Sequence, residues 1–310
     1  MTFSVTILGS SSALPTSQRF PAAHALTVHE RLFLIDCGEG TQMQLRKYKQ
    51  RLSRLDQIFI SHLHGDHVLG LVGLISTLNL LGRKSPLTIH AHAALQPILS
   101  QNINFFVNDL QFPLNFLALD SKRPKTIFED KSITVESFPL KHRIASNGFI
   151  FREKPKLPNI RKNLIEKYSI PLADIIRIKE GADFITSDGV IIPNNELTFT
   201  SSPARSYAYC SDTKYFEGLA DIIKGVNTLY HEATFGDDMA KMAKATGHST
   251  ASQAATVAKR ARVGQLLIGH FSSRYKNVAT LLKEAREIFP HTFAVEDGLE
   301  FKIDHLPEDF

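Results

Sequence analysis

Cysteine is scarce in this 310-residue chain, which holds only Cys37 and Cys210. Two thiols build no framework of crosslinks, so the chain is not a disulfide-stapled scaffold, and both read as buried free thiols of a reducing compartment. Long apolar runs are missing as well. None reaches the roughly 18–20 residues that span a bilayer. The opening MTFSVTILGS places no basic region ahead of an apolar stretch and cleavage site. A soluble, cytoplasmic protein with no membrane segment is therefore expected. Internal repeats and low-complexity tracts are also lacking. Charge of one sign is in only modest excess, 36 Lys and Arg against 31 Asp and Glu, which suits an ordinary surface or a polyanionic partner.

What is present is a core. At 43% apolar residues the chain can bury one large domain or two small ones. Its pattern is strand-rich first and mixed later. Strands are expected at Phe3–Leu8, Ala25–Val28, Leu32–Ile35, Gln57–Ser61, Leu87–Ala91, Ile133–Pro139 and Gly148–Phe151, then at Ser206–Cys210, Thr228–Tyr230 and Gln265–Ile268. Helices are expected from Thr41, carrying Gln42, Leu45, Tyr48 and Leu52, over Val68–Leu81 up to Gly82, over Ser249–Arg262 and over Asn277–Phe289. The helix from Thr41 would carry Arg46, Lys47, Lys49, Arg51 and Arg54, a second basic cluster that reads as a solvated face. Residues 152–198 interrupt the pattern with charge, four prolines and little regular periodicity, apart from a hairpin signal at Ser187-Asp188-Gly189. A stretch of that kind inside a compact domain is usually functional. From Arg152 to Glu180 it holds eight Lys and Arg against four Asp and Glu.

The run SHLHGDH at residues 61–67 follows apolar Ile58, Phe59 and Ile60. Three histidines and an aspartate so close together are costly to bury unless something binds them. Imidazole nitrogen and carboxylate oxygen together hold divalent ions. In a loop leaving a strand, His62 and His64 can reach one ion while Asp66 and His67 turn to a second, with Gly65 giving the backbone its freedom. His90 and His92 also form His-x-His, but small apolar residues follow, and alternation on a strand edge explains them. Further donors stand at strand ends: His142, Asp212 and His270, each after an apolar strand. Their convergence gives a dinuclear site, with Asp212 shared and room for a hydroxide nucleophile of lowered pKa.

These motifs, together with LGSSSALPT, DCGEGTQ, LKHR followed by NGFIFREKP, YAYCSDT, HEATF, GHSTASQAA and HFSSRY, make the chain resemble the ribonuclease Z family over nearly its whole length. That family comprises transfer-RNA 3′-processing endonucleases of the metallo-β-lactamase superfamily. SHLHGDH alone marks only the superfamily; HEATF, GHST and HFSSRY point to the family, and away from hydrolases of β-lactams or thioesters. The resemblance implies an α/β fold, a four-layer αβ/βα sandwich spanning residues 1–310, with the metals at one edge of its two sheets and residues 152–198 as an inserted, protruding basic arm.

It further implies two Zn2+ per chain. His62, His64 and His142 would hold one, Asp66, His67 and His270 the other, with Asp212 bridging; manganese or iron would fit the same donors. Asp66 would orient the attacking water and accept its proton. His248 would contact the scissile phosphate or protonate the leaving oxygen, positioned by Glu232. Ser272 and Arg274, with Ser273, are natural phosphate contacts, and the loop Pro15–Arg19 resembles the family segment that approaches the end of the substrate, which would bring Arg19 there. The implied partner is precursor transfer RNA, cut after the discriminator nucleotide by a homodimer. Lysines and arginines on the arm suit a folded RNA recognised by backbone and shape, although a Gly-Pro common near the family's arm tip is replaced here by Ser169-Ile170-Pro171-Leu172.

Overall fold

Residues 206–210 show how the chain builds its layers. In Ser206-Tyr207-Ala208-Tyr209-Cys210 every residue is buried, and the period of two sends Tyr207 and Tyr209 to one face and Ala208 and Cys210 to the other. A strand covered on both faces must be apolar throughout. The same split places Tyr230 and Leu267 inward but Leu229, Leu266 and Ile268 outward.

A computed structural model describes residues 2–199 and 203–305, and these divide into two compact units. The larger, residues 1–152 with 205–310, contains two seven-stranded sheets. Across the first run Glu300–Lys302, Phe3–Gly9, Ala23–Val28, Arg31–Ile35, Leu55–Phe59, Leu87–Ala91 and Leu114–Ala118. Across the second run Thr292–Ala294, Gln265–Gly269, Thr228–Glu232, Ser206–Cys210, Asn147–Glu153, Ile133–Pro139 and Lys125–Glu129.

Between the sheets lie Val5, Ile7, Phe33, Phe59, Phe149, Phe151 and the three tyrosines. On the outer face of the first sheet, Leu34, Ile58 and Ile89 pack against helical Leu71, Leu74, Ile75, Leu95 and Leu99. On that of the second, Ala208, Leu229 and Ile268 meet Ala251, Ala254, Ala255, Ala258 and Leu281. Helix, sheet, sheet and helix make four layers, as expected. Alanines let the helix Ala251–Ala261 approach its sheet closely. Thr250 caps it through a reciprocal pair with Gln253, an arrangement worth about 1 kcal/mol.

Several elements differ from expectation. The helix from Thr41 ends at Lys47, because Lys49 turns into the left-handed region at φ 54°. Of the five basic residues only Arg46 and Lys47 lie on that helix; Lys49, Arg51 and Arg54 fall beyond it. Val68–Leu81 is broken near Gly70 into Gly65–Val68 and Leu71–Leu80. A Cβ at Gly70 would stand 2.0 Å from the Gly38 carbonyl oxygen, so that contact requires glycine. The helix Leu95–Phe106 and the strands Leu114–Ala118 and Lys125–Glu129 were not foreseen.

The second unit, Glu153–Ala204, is more ordered than its sequence suggests. Helices Lys162–Lys167 and Leu172–Lys179 close over a small core of Ile170, Ile178, Phe184, Ile192 and Leu197. Phe184–Ile185 and Ile191–Ile192 pair antiparallel around Gly189, whose φ of 85° suits the turn read at Ser187-Asp188-Gly189. Lys156, Arg161, Lys162, Lys167 and Arg177 are exposed.

Candidate metal centre and active site

Strand ends deliver the polar cluster. Leu55–Phe59 runs out into Ser61–His64, and His64 opens the short helix that carries Asp66 and His67. His142 follows Ile133–Pro139, Asp212 follows Ser206–Cys210, and His270 follows Gln265–Gly269. His270 has φ 60°, and Asp36, just beyond Arg31–Ile35, has φ 56°. Histidine and aspartate tolerate this left-handed backbone better than most residues.

The seven side chains expected to bind metal come together in two groups. His62, His64, His142 and Asp212 form one; Asp66, His67 and His270 form the other. In the first, His62 Nε2 lies 3.0 Å from His64 Nδ1 and 3.4 Å from Asp212 Oδ2. His142 Nε2 lies 3.3 Å from His64 Nδ1 and 3.7 Å from Asp212 Oδ2. In the second, Asp66 Oδ2 is 3.3 Å from His67 Nε2 and 3.4 Å from His270 Nε2. Asp212 turns its other oxygen, Oδ1, to this group, 3.2 Å from His270 Nε2 and 3.6 Å from His67 Nε2. A tetrahedron with arms of about 2.0–2.1 Å has edges of about 3.3 Å, so such spacings match donors around one ion. Among the described residues His67 Nε2 and Asp212 Oδ1 have no hydrogen-bond partner although both are buried, which is costly unless a cation sits between them. The groups are thus compatible with metal binding.

The outward nitrogens are tied down. His67 Nδ1 meets Asp36 Oδ2 at 2.8 Å, His142 Nδ1 donates to the Gly247 carbonyl at 2.8 Å, and His270 Nδ1 meets Thr234 Oγ1 at 2.9 Å. His62 Nδ1 lies 3.0 Å from Ser61 Oγ. Such contacts fix ring orientation and aim the inner nitrogens. Asp36 is itself held by Ser61 N at 2.7 Å, Ser61 Oγ at 2.9 Å and Tyr209 Oη at 2.7 Å. Burial, with the neighbouring His67, lowers His62 to about 4, leaving the neutral imidazole a ligand needs. Burial opposes ionisation of Asp212, but His270, His62 and His67 outweigh it and hold the carboxyl well below the usual range.

Beside this cluster stands a third pair. His248 Nδ1 is 3.1 Å from Glu232 Oε1. Glu232 is fully buried and accepts from the Thr213, Ser249 and Thr234 amides at 3.1, 2.9 and 3.0 Å and from Thr234 Oγ1 at 2.8 Å. A carboxylate so enclosed is neither a surface group nor a helix cap. Burial lowers His248, but Glu232 overrides it and lifts the imidazole to about 9. A cavity of 740 Å³ exposes His64, Asp66, Asp212, His248 and His270, with Ser272 and Arg274 in its wall. Arg19 does not line it. Its guanidinium donates to the Tyr275 carbonyl at 3.0 Å and lies over the Phe271 ring. His90 lies outside both donor groups, stacked on Phe59 at 4.5 Å. Asp36, Thr234 and Gly247 received no role from sequence. Each lies in a motif the sequence singles out, Asp36 in DCGEGTQ, Thr234 in HEATF and Gly247 in GHST, and that was the available signal.

Curated relatives decide the family. A ribonuclease Z of Phocaeicola vulgatus is 48% identical over 304 residues, covering 98% of both chains. The chain belongs to the ribonuclease Z family. Like that family's members it is an endoribonuclease, a phosphodiester hydrolase. The human tRNase Z, short form, matches with TM-score 0.70 and 27% identity, covering 97% of this chain and 99% of that one. The metallo-β-lactamase fold protein YhfI from Bacillus subtilis matches with TM-score 0.69 at 17% identity, covering 97% and 100%. The metallo-β-lactamase fold is therefore that of this ribonuclease Z relative too. Residues 3–155 also match the family described as Anti-Pycsar protein Apyc1. No helix among the described residues is long and apolar enough to cross a membrane.

Proposed function

We propose that the protein removes 3′ trailers from precursor transfer RNA, hydrolysing the phosphodiester after the discriminator nucleotide to leave a 3′-hydroxyl and a 5′-phosphorylated trailer. The observation that carries this reading is Asp212, whose two oxygens face the two donor groups, in the cavity that also holds His248. His62, His64 and His142 would hold one Zn2+ and Asp66, His67 and His270 a second, and Asp212 would be shared. When bound, the two ions supply Lewis acidity toward the scissile phosphate and lower the pKa of the water that attacks it.

The chain's own groups do the rest. Asp66 orients that water and takes its proton. His248, kept protonated by buried Glu232, gives a proton to the departing 3′-oxygen. Ser272 and Arg274 contact the phosphate, and Arg19, held on Phe271, supports the loop that meets the end of the substrate. The basic unit 153–204 takes the body of the RNA through its backbone. The working form is a homodimer in the cytoplasm. Incubation with a trailer-bearing precursor and mapping of both product ends tests the reading. It expects one cut at the discriminator with a 3′-hydroxyl and a 5′-phosphate; a 5′-hydroxyl trailer, or no cut, overturns it.

A further inference from the structure

The cavity contains a cation that the chemistry above leaves idle. Arg143 follows His142 in the chain and lines the cavity beside His248. Its stem passes close to Gly247, where a side chain would crowd it: a Cβ built on Gly247 would stand 3.5 Å from Arg143 Cγ and 3.0 Å from His142 Nδ1. Gly247 is fixed in turn by the bond its carbonyl accepts from His142. Among the described residues no carboxylate pairs with the Arg143 guanidinium, although carboxylates line the same cavity. An exposed arginine in the wall of such a cavity, without a carboxylate partner, offers a planar, bidentate contact to phosphate.

Its position sets which phosphate. Three rings cross the cavity in sequence, with His142 and His248 centroids 5.1 Å apart and those of His248 and His270 5.6 Å apart. Arg143 stands next to His142 in the chain and lines the cavity at that end of the row. Asp66, the acceptor for the attacking water, is on the His270 side, 3.4 Å from that ring's Nε2. In-line displacement puts attacking and leaving oxygens on opposite sides of phosphorus. The leaving strand therefore runs toward His142 and carries its next phosphate to Arg143.

We infer that Arg143 is a specificity-determining residue that binds the first phosphodiester on the leaving side of the cut, immediately 5′ of the nucleotide that keeps the new 3′-hydroxyl. This rests on the RNA reading proposed above.

The test uses three precursors: unmodified, with a neutral methylphosphonate at that leaving-side linkage, and with one at the first linkage inside the trailer. kcat/KM is measured for the wild type, Arg143→Ala and Arg143→Lys. Neutralising the leaving-side linkage should cost the wild type about tenfold or more, as expected for a charge-assisted contact, and cost Arg143→Ala nothing further. The trailer linkage should affect both equally, and Arg143→Lys should recover part of the loss. Equal sensitivity of wild type and Arg143→Ala to the leaving-side change, or a coupling found at the trailer linkage instead, overturns the assignment. Hydrolysis of bis(p-nitrophenyl) phosphate and zinc content should be unchanged in both variants, which separates lost contact from lost fold. If the wild type fails to cut the unmodified precursor, the RNA reading falls, not the placement of Arg143.

Discussion

His248 Nδ1 lies 3.1 Å from Oε1 of Glu232, a carboxylate with no exposed surface. Burial alone would make this imidazole neutral; the enclosed anion keeps it charged to about 9. The sign follows directly. The acid is available below that pH and is lost as pH rises through it, so turnover should decline on the alkaline side. Glu232→Gln removes the anion and should move this decline toward neutral pH. His248→Asn should abolish it, leaving a flat alkaline profile. A kcat–pH profile whose alkaline limb ignores both changes would remove His248 from the chemistry.

His248→Ala should lower turnover by about 10²–10⁴-fold with zinc content and RNA affinity nearly intact, because the seven expected donors suffice for both ions, although His248 also stands within reach of Asp212 and His270. Elemental analysis and a binding isotherm on the variant check this, and unchanged turnover would leave the residue a structural part.

Asp36 is fully buried, yet it fixes His67 at 2.8 Å and collects three further hydrogen bonds. Asp36→Asn should weaken zinc binding by about 10–100-fold, measured by competition with a chelator, while the metal-free variant keeps its circular dichroism spectrum.

Much of this centre was legible in the sequence, and the reason is local. HLHGDH places four donors on one strand-to-helix turn, and His142, Asp212 and His270 each follow an apolar strand, so a sandwich fold brings them to one edge. The supports were not legible. Asp36, Thr234 and Gly247 meet their imidazoles across 31, 36 and 105 residues, and nothing in a hydrophobic period reports such pairings. Lys49 shows another limit: its left-handed backbone ends a helix that Leu52 would have continued. Among the described residues of 153–204 the helices span six, eight and four residues, too short for a 3.6-residue period to stand out from the prolines around them.

The basic unit allows binding to be separated from chemistry. Replacing residues 155–203 with a short glycine-rich linker should leave the seven donors assembled, since all lie in the other unit. Small phosphodiesters should still be hydrolysed, whereas precursor cleavage should fall through weaker binding, with a shallower salt dependence because fewer phosphates are contacted. Loss of small-ester hydrolysis would place the segment within the fold, and unchanged RNA cleavage at low substrate would show that it is not the grip.

The central claim is a centre of two ions working together on precursor RNA. The direct measurement is a zinc titration of chelator-stripped protein, following precursor cleavage at each addition. The account predicts no cleavage without metal and a rise that breaks at about two equivalents per chain. Full cleavage by the stripped protein, or a maximum reached at one equivalent, would contradict it.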